Sequence, residues 1–125
     1  MRLLLDTHVL LWWLGDPATL TDVACVEIAN PRNAVYVSAA SVQEITIKQA
    51  LNRLTCPEPL LPLLGVNRFA PLPITLDHAL ALGTLPSLHK DPFDRQLVAQ
   101  CRCEDMTLVT RDRMLMQYGI QIIPA

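Results

Sequence analysis

Positive charge is not in excess in this 125-residue chain: ten Lys and Arg stand against twelve Asp and Glu, a formal net charge of −2. That excludes a broad phosphate-gripping surface of the histone or ribosomal kind, while leaving open a nuclease whose site is acidic because it uses hard metal ions. Glycine is scarce, four isolated residues, so neither a phosphate-cradling loop nor a dinucleotide fingerprint is present. No G-x-S-x-G nucleophile elbow appears. No apolar run approaches the roughly 18–20 residues that a membrane span requires. No secretory signal is read at the start, where Arg2 is followed by only three apolar residues before Asp6. The four cysteines lack zinc spacing, since Cys101-x-Cys103 has no second pair and no nearby His ligand. They read as reduced thiols in a soluble, cytoplasmic protein with no membrane contact.

What is present is apolar. Half the residues (51%) are hydrophobic and only 18% are charged, against a usual charged share of about 25%. Disorder is excluded, and the length fits one domain, expected to span residues 1–125. Short apolar runs alternate with helix-period stretches. Leu3–Leu5 reads as a strand buried on both faces, followed by a helix over Val9–Leu14 that Gly15-Asp16-Pro17 ends. Thr21 can cap a helix to Asn30; Val35–Val37 is a second strand, and Ser41 opens a helix to about Leu54.

The stretch 57–73 holds five of the ten prolines yet is rich in leucine, and reads as a short helix plus extended linkers of no assigned role. Leu72–Ile74 is a third strand, and Thr75 caps a helix to Gly83. Asp91-Pro92 starts a further helix, Met106–Val109 is a fourth strand, 112–118 a short helix, and Ile120–Ile123 a fifth strand. The alternation predicts an α/β sandwich with a mostly parallel five-stranded sheet. Right-handed crossovers put the C-terminal ends of its strands on one edge, where ligand sites of such sheets lie.

Four carboxylates fall near that edge. Asp6 directly follows the first strand, and Asp112 follows the fourth through Thr110-Arg111. Glu44 and Asp94 each lie in the first turn of a helix. Asp94 heads an apolar stripe continued by Leu97, Val98 and Cys101; the same offsets from Glu44 give Ile47, Lys48 and Leu51. Each acid also has a local explanation. Ser41-Val-Gln-Glu44 is a capping box, Asp91 can be an N-cap with Asp94 favourable to the helix dipole, Asp112 can cap the last helix, and Asp6 can be a turn residue. Together they are different, because at ~5 Å and an effective dielectric of ~20 each pair of carboxylates costs roughly 3 kcal/mol. A divalent cation removes that repulsion, and an oxygen-only ligand set suits Mg²⁺ or Mn²⁺. Of the histidines, His8 beside Asp6 is a candidate hydrogen-bond donor to it, His89 a loop residue near substrate, and His78 a surface position.

Four segments resemble a known family: Leu3-Leu-Leu-Asp6-Thr-His-Val-Leu-Leu-Trp12, Ser38-Ala-Ala-Ser-Val-Gln-Glu44-Ile, His89-Lys-Asp-Pro-Phe-Asp94-Arg-Gln-Leu-Val-Ala-Gln100 and Leu108-Val-Thr-Arg-Asp112. In this order and spacing they are similar to the PIN-domain ribonucleases and, within them, to the VapC-type toxins of bacterial toxin–antitoxin pairs. The resemblance runs from residue 1 to 123. It implies a three-layer α/β/α fold with a parallel five-stranded sheet. It implies that Asp6, Glu44, Asp94 and Asp112 are the catalytic, metal-binding acids, with Asp91 a neighbour in the same motif. Thr110 and Thr7 match positions near the metal.

The expected reaction is metal-dependent endonucleolytic hydrolysis of RNA, leaving 5′-phosphate and 3′-hydroxyl ends. Asp6 and Asp94 are expected to ligate directly, Glu44 to ligate or orient water, and Asp112 to ligate or act through water. Half of the basic residues lie in 89–113, and Lys90, Arg95, Arg111 and Arg113 are candidate RNA contacts or counter-charges to the acids. The segment Val9–Leu14, apolar all round, suggests one buried Trp and one at an interface, Trp12 or Trp13. The resemblance points to a homodimer and to a small VapB-type antitoxin partner. The alternatives are a non-catalytic PIN-like module that holds RNA or protein, and a phosphatase or receiver-type acid pocket. The latter lacks a second Asp two residues after Asp6.

Overall fold

The computed structural model describes all 125 residues. Five parallel strands, β1 (Arg2–Leu5), β2 (Ala34–Ser38), β3 (Phe69–Leu72), β4 (Thr107–Thr110) and β5 (Ile122–Pro124), form one sheet in the order β3-β2-β1-β4-β5. Because β1 is central, its apolar triplet is covered on both faces, and strand alternation divides it between two cores. Leu3 and Leu5 pack with Val9, Leu10, Ile28, Ile45 and Val109, while Leu4 packs with Ala40, Leu97, Val98, Leu108 and Leu115. Helices α1 (Thr7–Gly15), α2 (Asp22–Ala29), α3 (Ala39–Ala50), α4 (Leu60–Val66), α5 (Leu76–Ala81) and α6 (Pro92–Glu104) supply the outer layers of an α/β/α sandwich. No helix is long and apolar enough to cross a membrane. The four cysteines are free thiols.

Several boundaries differ from the sequence reading, for identifiable reasons. α3 begins at Ala39, capped by the Ser38 hydroxyl, which accepts from the Ala40 N–H at 3.0 Å. Ser41 is therefore inside the helix and is no cap, and the Ser41/Glu44 capping box does not form. The helix stops at Ala50 rather than Leu54, with Asn52 in the left-handed region at φ 56°. The face continuing from Glu44 is not inward: Ile47 and Leu51 are exposed, and Ile45 is the buried member. β3 starts three residues earlier and ends two earlier than the predicted Leu72–Ile74, because Pro71 is tolerated there. β3 is an edge strand, paired only with β2, so a residue without an N–H can face outward. The element after Asp112 is a 3₁₀ helix over Arg113–Tyr118, ended by Gly119 at φ 74°, and the fifth strand starts at Ile122 rather than Ile120.

Candidate functional site

β1 delivers Asp6 to the C-terminal edge of the sheet, where it caps α1. Its Oδ1 accepts from the Val9 N–H at 2.8 Å and its Oδ2 from the Thr110 hydroxyl at the end of β4. Asp6 is buried, and that burial raises its pKa against the lowering effect of these bonds. The Thr110 hydroxyl also accepts from the Asp112 N–H at 3.1 Å, so one side chain ties together the two acids that leave β1 and β4. Asp112 caps the 3₁₀ helix through Oδ1, which accepts from the Met114 N–H at 2.9 Å, leaving Oδ2 toward the site.

Asp91 caps α6, its Oδ1 accepting from the N–H groups of Phe93 and Asp94 at 2.8 and 3.2 Å. This cap places Asp94 in the first turn, half-buried. Burial, then the charges of Asp91, Asp6 and Glu44, push its carboxyl from the ordinary 3.8 up to about 7, with His89 opposing. Glu44 comes from the second turn of α3 and is buried; its Oε2 meets Lys48 Nζ at 2.5 Å, while its Oε1 has no partner. The buried hydroxyls of Thr7 and of Ser41, one turn before Glu44, are also without partners. The charges of Asp6, Glu44 and Asp94 act on one another. An open cleft of about 360 Å³ is lined by Asp6, His8, Trp12, Asp94, Arg111 and Asp112.

Lys48 and His89 carry more of this site than their sequence positions suggested. Lys48 stands one helical turn beyond Glu44, and its pKa is raised by the hydrogen bond to Glu44 and by the charges of Glu44, Asp91 and Asp94. The i, i+4 spacing was its only sequence signal. His89 stands between Asp112 (Oδ2 at 2.8 Å) and Asp94 (Oδ2 at 3.6 Å). His8 is exposed, tilted against Trp12 with ring centroids 5.8 Å apart, and makes no bond to Asp6. His78 is not a surface residue: it is fully buried, accepts from the Thr75 N–H through Nδ1 and meets Glu104 through Nε2 at 2.9 Å.

The basic residues divide into two groups. Arg95 does not present a free cation, because its guanidinium donates to Pro86 O (2.9 Å), Tyr118 Oη (3.2 Å) and Leu82 O (3.4 Å). Arg111 lies 4.3 Å over the Trp12 ring and donates to Ala125 O and Thr19 O, yet still lines the cleft. Lys90 and Arg113 are exposed, with no intramolecular partner for either head group. Trp12 and Trp13 are both half-buried, so neither is the fully buried one expected. Trp12 reaches the cleft, and Trp13 donates to Asn67 Oδ1 at 3.0 Å and packs against the core that holds Leu3 and Leu5.

A doubly covered parallel sheet with acids gathered at its C-terminal edge defines a class of α/β proteins with an anionic cleft, one suited to hard cations. The family model of the PIN domain matches residues 3–120, and the chain belongs to the PIN-domain family. No curated protein matches the sequence. Among solved structures, the chain is similar to a chain of VapBC2 from Rickettsia felis bound to a fragment of its promoter DNA, with TM-score 0.74 and 15% identity, covering 99% of this chain and 98% of that one. DNA-bound VapBC from Salmonella typhimurium gives 0.71 and 15%, covering 99% and 98%. FitAcB from Neisseria gonorrhoeae gives 0.60 and 19%, covering 97% and 96%. At these identities the likeness is one of fold.

Proposed function

We propose that this chain is a divalent-metal-dependent endoribonuclease and acts as the toxin of a VapBC-type toxin–antitoxin pair. The observation that carries the reading is the state of the acids. Three carboxylates from separate elements act on one another, one is held near pKa 7, and a buried oxygen of another is orphaned. Burying several carboxylates together, with Lys48 the one cation paired to them by a short contact and one Glu44 oxygen orphaned, costs several kcal/mol, on the order of the stability margin of a domain. An oxygen-rich cation site offsets that cost, and the donors fit Mg²⁺ or Mn²⁺. Asp6, Glu44, Asp94 and Asp112 would hold the ion. When bound, it supplies Lewis acidity and lowers the pKa of water.

The chain's own groups do the rest. Thr110 holds Asp6 and Asp112 in place, and Asp91 fixes the first turn that presents Asp94. Arg111, with Lys90 and Arg113 free at the surface, binds phosphates of the RNA backbone. Of the two residues after Asp6, His8 lines the cleft, while the Thr7 hydroxyl is buried without a partner. The chain works in the cytoplasm as a homodimer, with a VapB-type antitoxin as its protein partner. Exposed Leu61, Val66, Leu76 and Leu80 supply apolar surface for such assembly.

A second reading is favoured by one contact. Lys48 already neutralises Glu44 from within, as a non-catalytic module that holds RNA or protein without metal would need. One experiment separates the two: incubation of the purified full chain with RNA and Mg²⁺ or Mn²⁺. Cleavage that EDTA abolishes, and that a folded Asp6→Asn variant lacks, supports the nuclease. RNA binding indifferent to chelator, with no cleavage under either ion, supports the module.

A further inference from the structure

His89 has the atoms of a ligand but the hydrogen bonds of a donor. Its Nδ1 accepts from the backbone N–H of Asp91 at 3.0 Å, so the single proton of the neutral ring sits on Nε2. Nε2 points at Asp112 Oδ2, 2.8 Å away, and donates to it; Asp94 Oδ2 lies beyond at 3.6 Å. A metal ion at Nε2 would have to displace that proton. A proton moved to Nδ1 would then face the Asp91 N–H, donor against donor. Only an imidazolate would satisfy both sides.

The loop that carries the ring is itself held in place. The His89 N–H donates to Tyr118 Oη at 3.0 Å, and that oxygen also accepts from Arg95 Nη1 at 3.2 Å. Arg95 is anchored on Pro86 O at 2.9 Å, and Arg102 donates to the Tyr118 carbonyl at 2.5 Å. Two arginines and a buried tyrosine therefore clamp the loop that carries the imidazole.

We propose that His89 is a positioning residue and not a metal ligand: its Nε2–H fixes Asp112 Oδ2 at the cleft, on the side where Asp94 Oδ2 also lies. This rests on the metal-site reading above, to which it adds the group that orients Asp112. Groups that orient metal-binding side chains characteristically change metal affinity by about 10–100-fold when removed.

The test uses the full chain with Mg²⁺ as the probe. Long-range ¹H–¹⁵N spectra of histidine-labelled protein, with His89 assigned through His89→Gln, should show a protonated Nε2 and a bare Nδ1, and saturating Mg²⁺ should leave that proton in place. Calorimetry should find Mg²⁺ bound about 10-fold or more weakly by His89→Ala. His89→Gln, whose amide N–H can occupy the place of Nε2, should recover most of that loss. A proton on Nδ1, loss of the Nε2 proton with Mg²⁺, unchanged binding by His89→Ala, or a folded His89→Gln as weak as His89→Ala each overturns the proposal. Should His89→Ala not fold, the wild-type spectra and His89→Gln still decide. A wild-type chain that binds no Mg²⁺ defeats the metal-site reading in its own arm, before any variant is compared. Wild-type binding combined with a failed histidine outcome defeats this inference alone.

Discussion

Thr110 at the end of β4 donates its hydroxyl hydrogen to Asp6 at the end of β1, across 104 residues of sequence, and accepts the N–H of Asp112 with the same oxygen. The bond joins neighbouring strands at the one level where both leave the sheet, and both Thr110 and Asp6 are buried. Thr110→Val keeps the shape but strands a buried carboxylate oxygen and a backbone donor. A loss of about 1–3 kcal/mol is expected in denaturant unfolding, with Thr110→Ser close to wild type.

Asp94 determines how the metal-free chain responds to pH. Its folded pKa, about 7, lies above the ordinary 3.8, so between these values the folded state holds a proton that the unfolded state has lost. Its stabilising contribution is complete below about pH 4 and is lost as pH rises through 7. Buried Asp6, also raised, adds in the same direction. Melting temperature in EDTA should therefore fall across pH 4–7 more steeply in wild type than in Asp94→Asn. Equal slopes would show that Asp94 does not titrate as described.

Lys48 offers a metal-removal test. It is about one-third exposed, but its partner Glu44 is buried, so the pair exceeds an ordinary surface ion pair without reaching a fully buried one. Lys48→Met should destabilise the metal-free chain by about 1–3 kcal/mol. Added Mg²⁺ should then raise its melting temperature by more than it raises that of wild type, because the ion takes over the neutralisation of Glu44. An equal Mg²⁺ shift in both proteins would argue against a shared cation position.

Arg95 and Arg113 are two basic residues with opposite expected behaviour. Arg95→Ala removes the donors that hold Pro86 O and Tyr118 Oη and should cost about 1–3 kcal/mol of stability. Arg113→Ala, on an exposed side chain with no partner, should leave melting unchanged and weaken RNA binding, most visibly at low salt. Melting curves and RNA titrations on the two variants check both halves.

Much of this was legible in the residues. The Leu3–Leu5 run placed the central strand, Thr21 and Asp91 marked helix starts that the structure repeats, and the Asp112 cap came from its own neighbours. The misreadings share a cause. Ser41 fitted a capping box as well as Ser38 fitted a cap, and only the end of the β2 ladder at Ser38 decides where the helix begins. His78 looked like an exposed polar residue because its partners Glu104 and Gln100 lie more than twenty positions away.

By itself the sequence determined the order of elements and the caps at Thr21, Asp91 and Asp112. Those depend on dihedral preferences and on contacts within a turn or two. Only tertiary structure decided which groups share the cleft: Thr110 on Asp6, Lys48 among three acids, His89 on Asp112, and Arg95 turned away to hold a loop. Such pairings are set by the register of strands and the packing of helices over them. Side-chain reach of a few ångströms is then selected by backbone positions that no local pattern encodes.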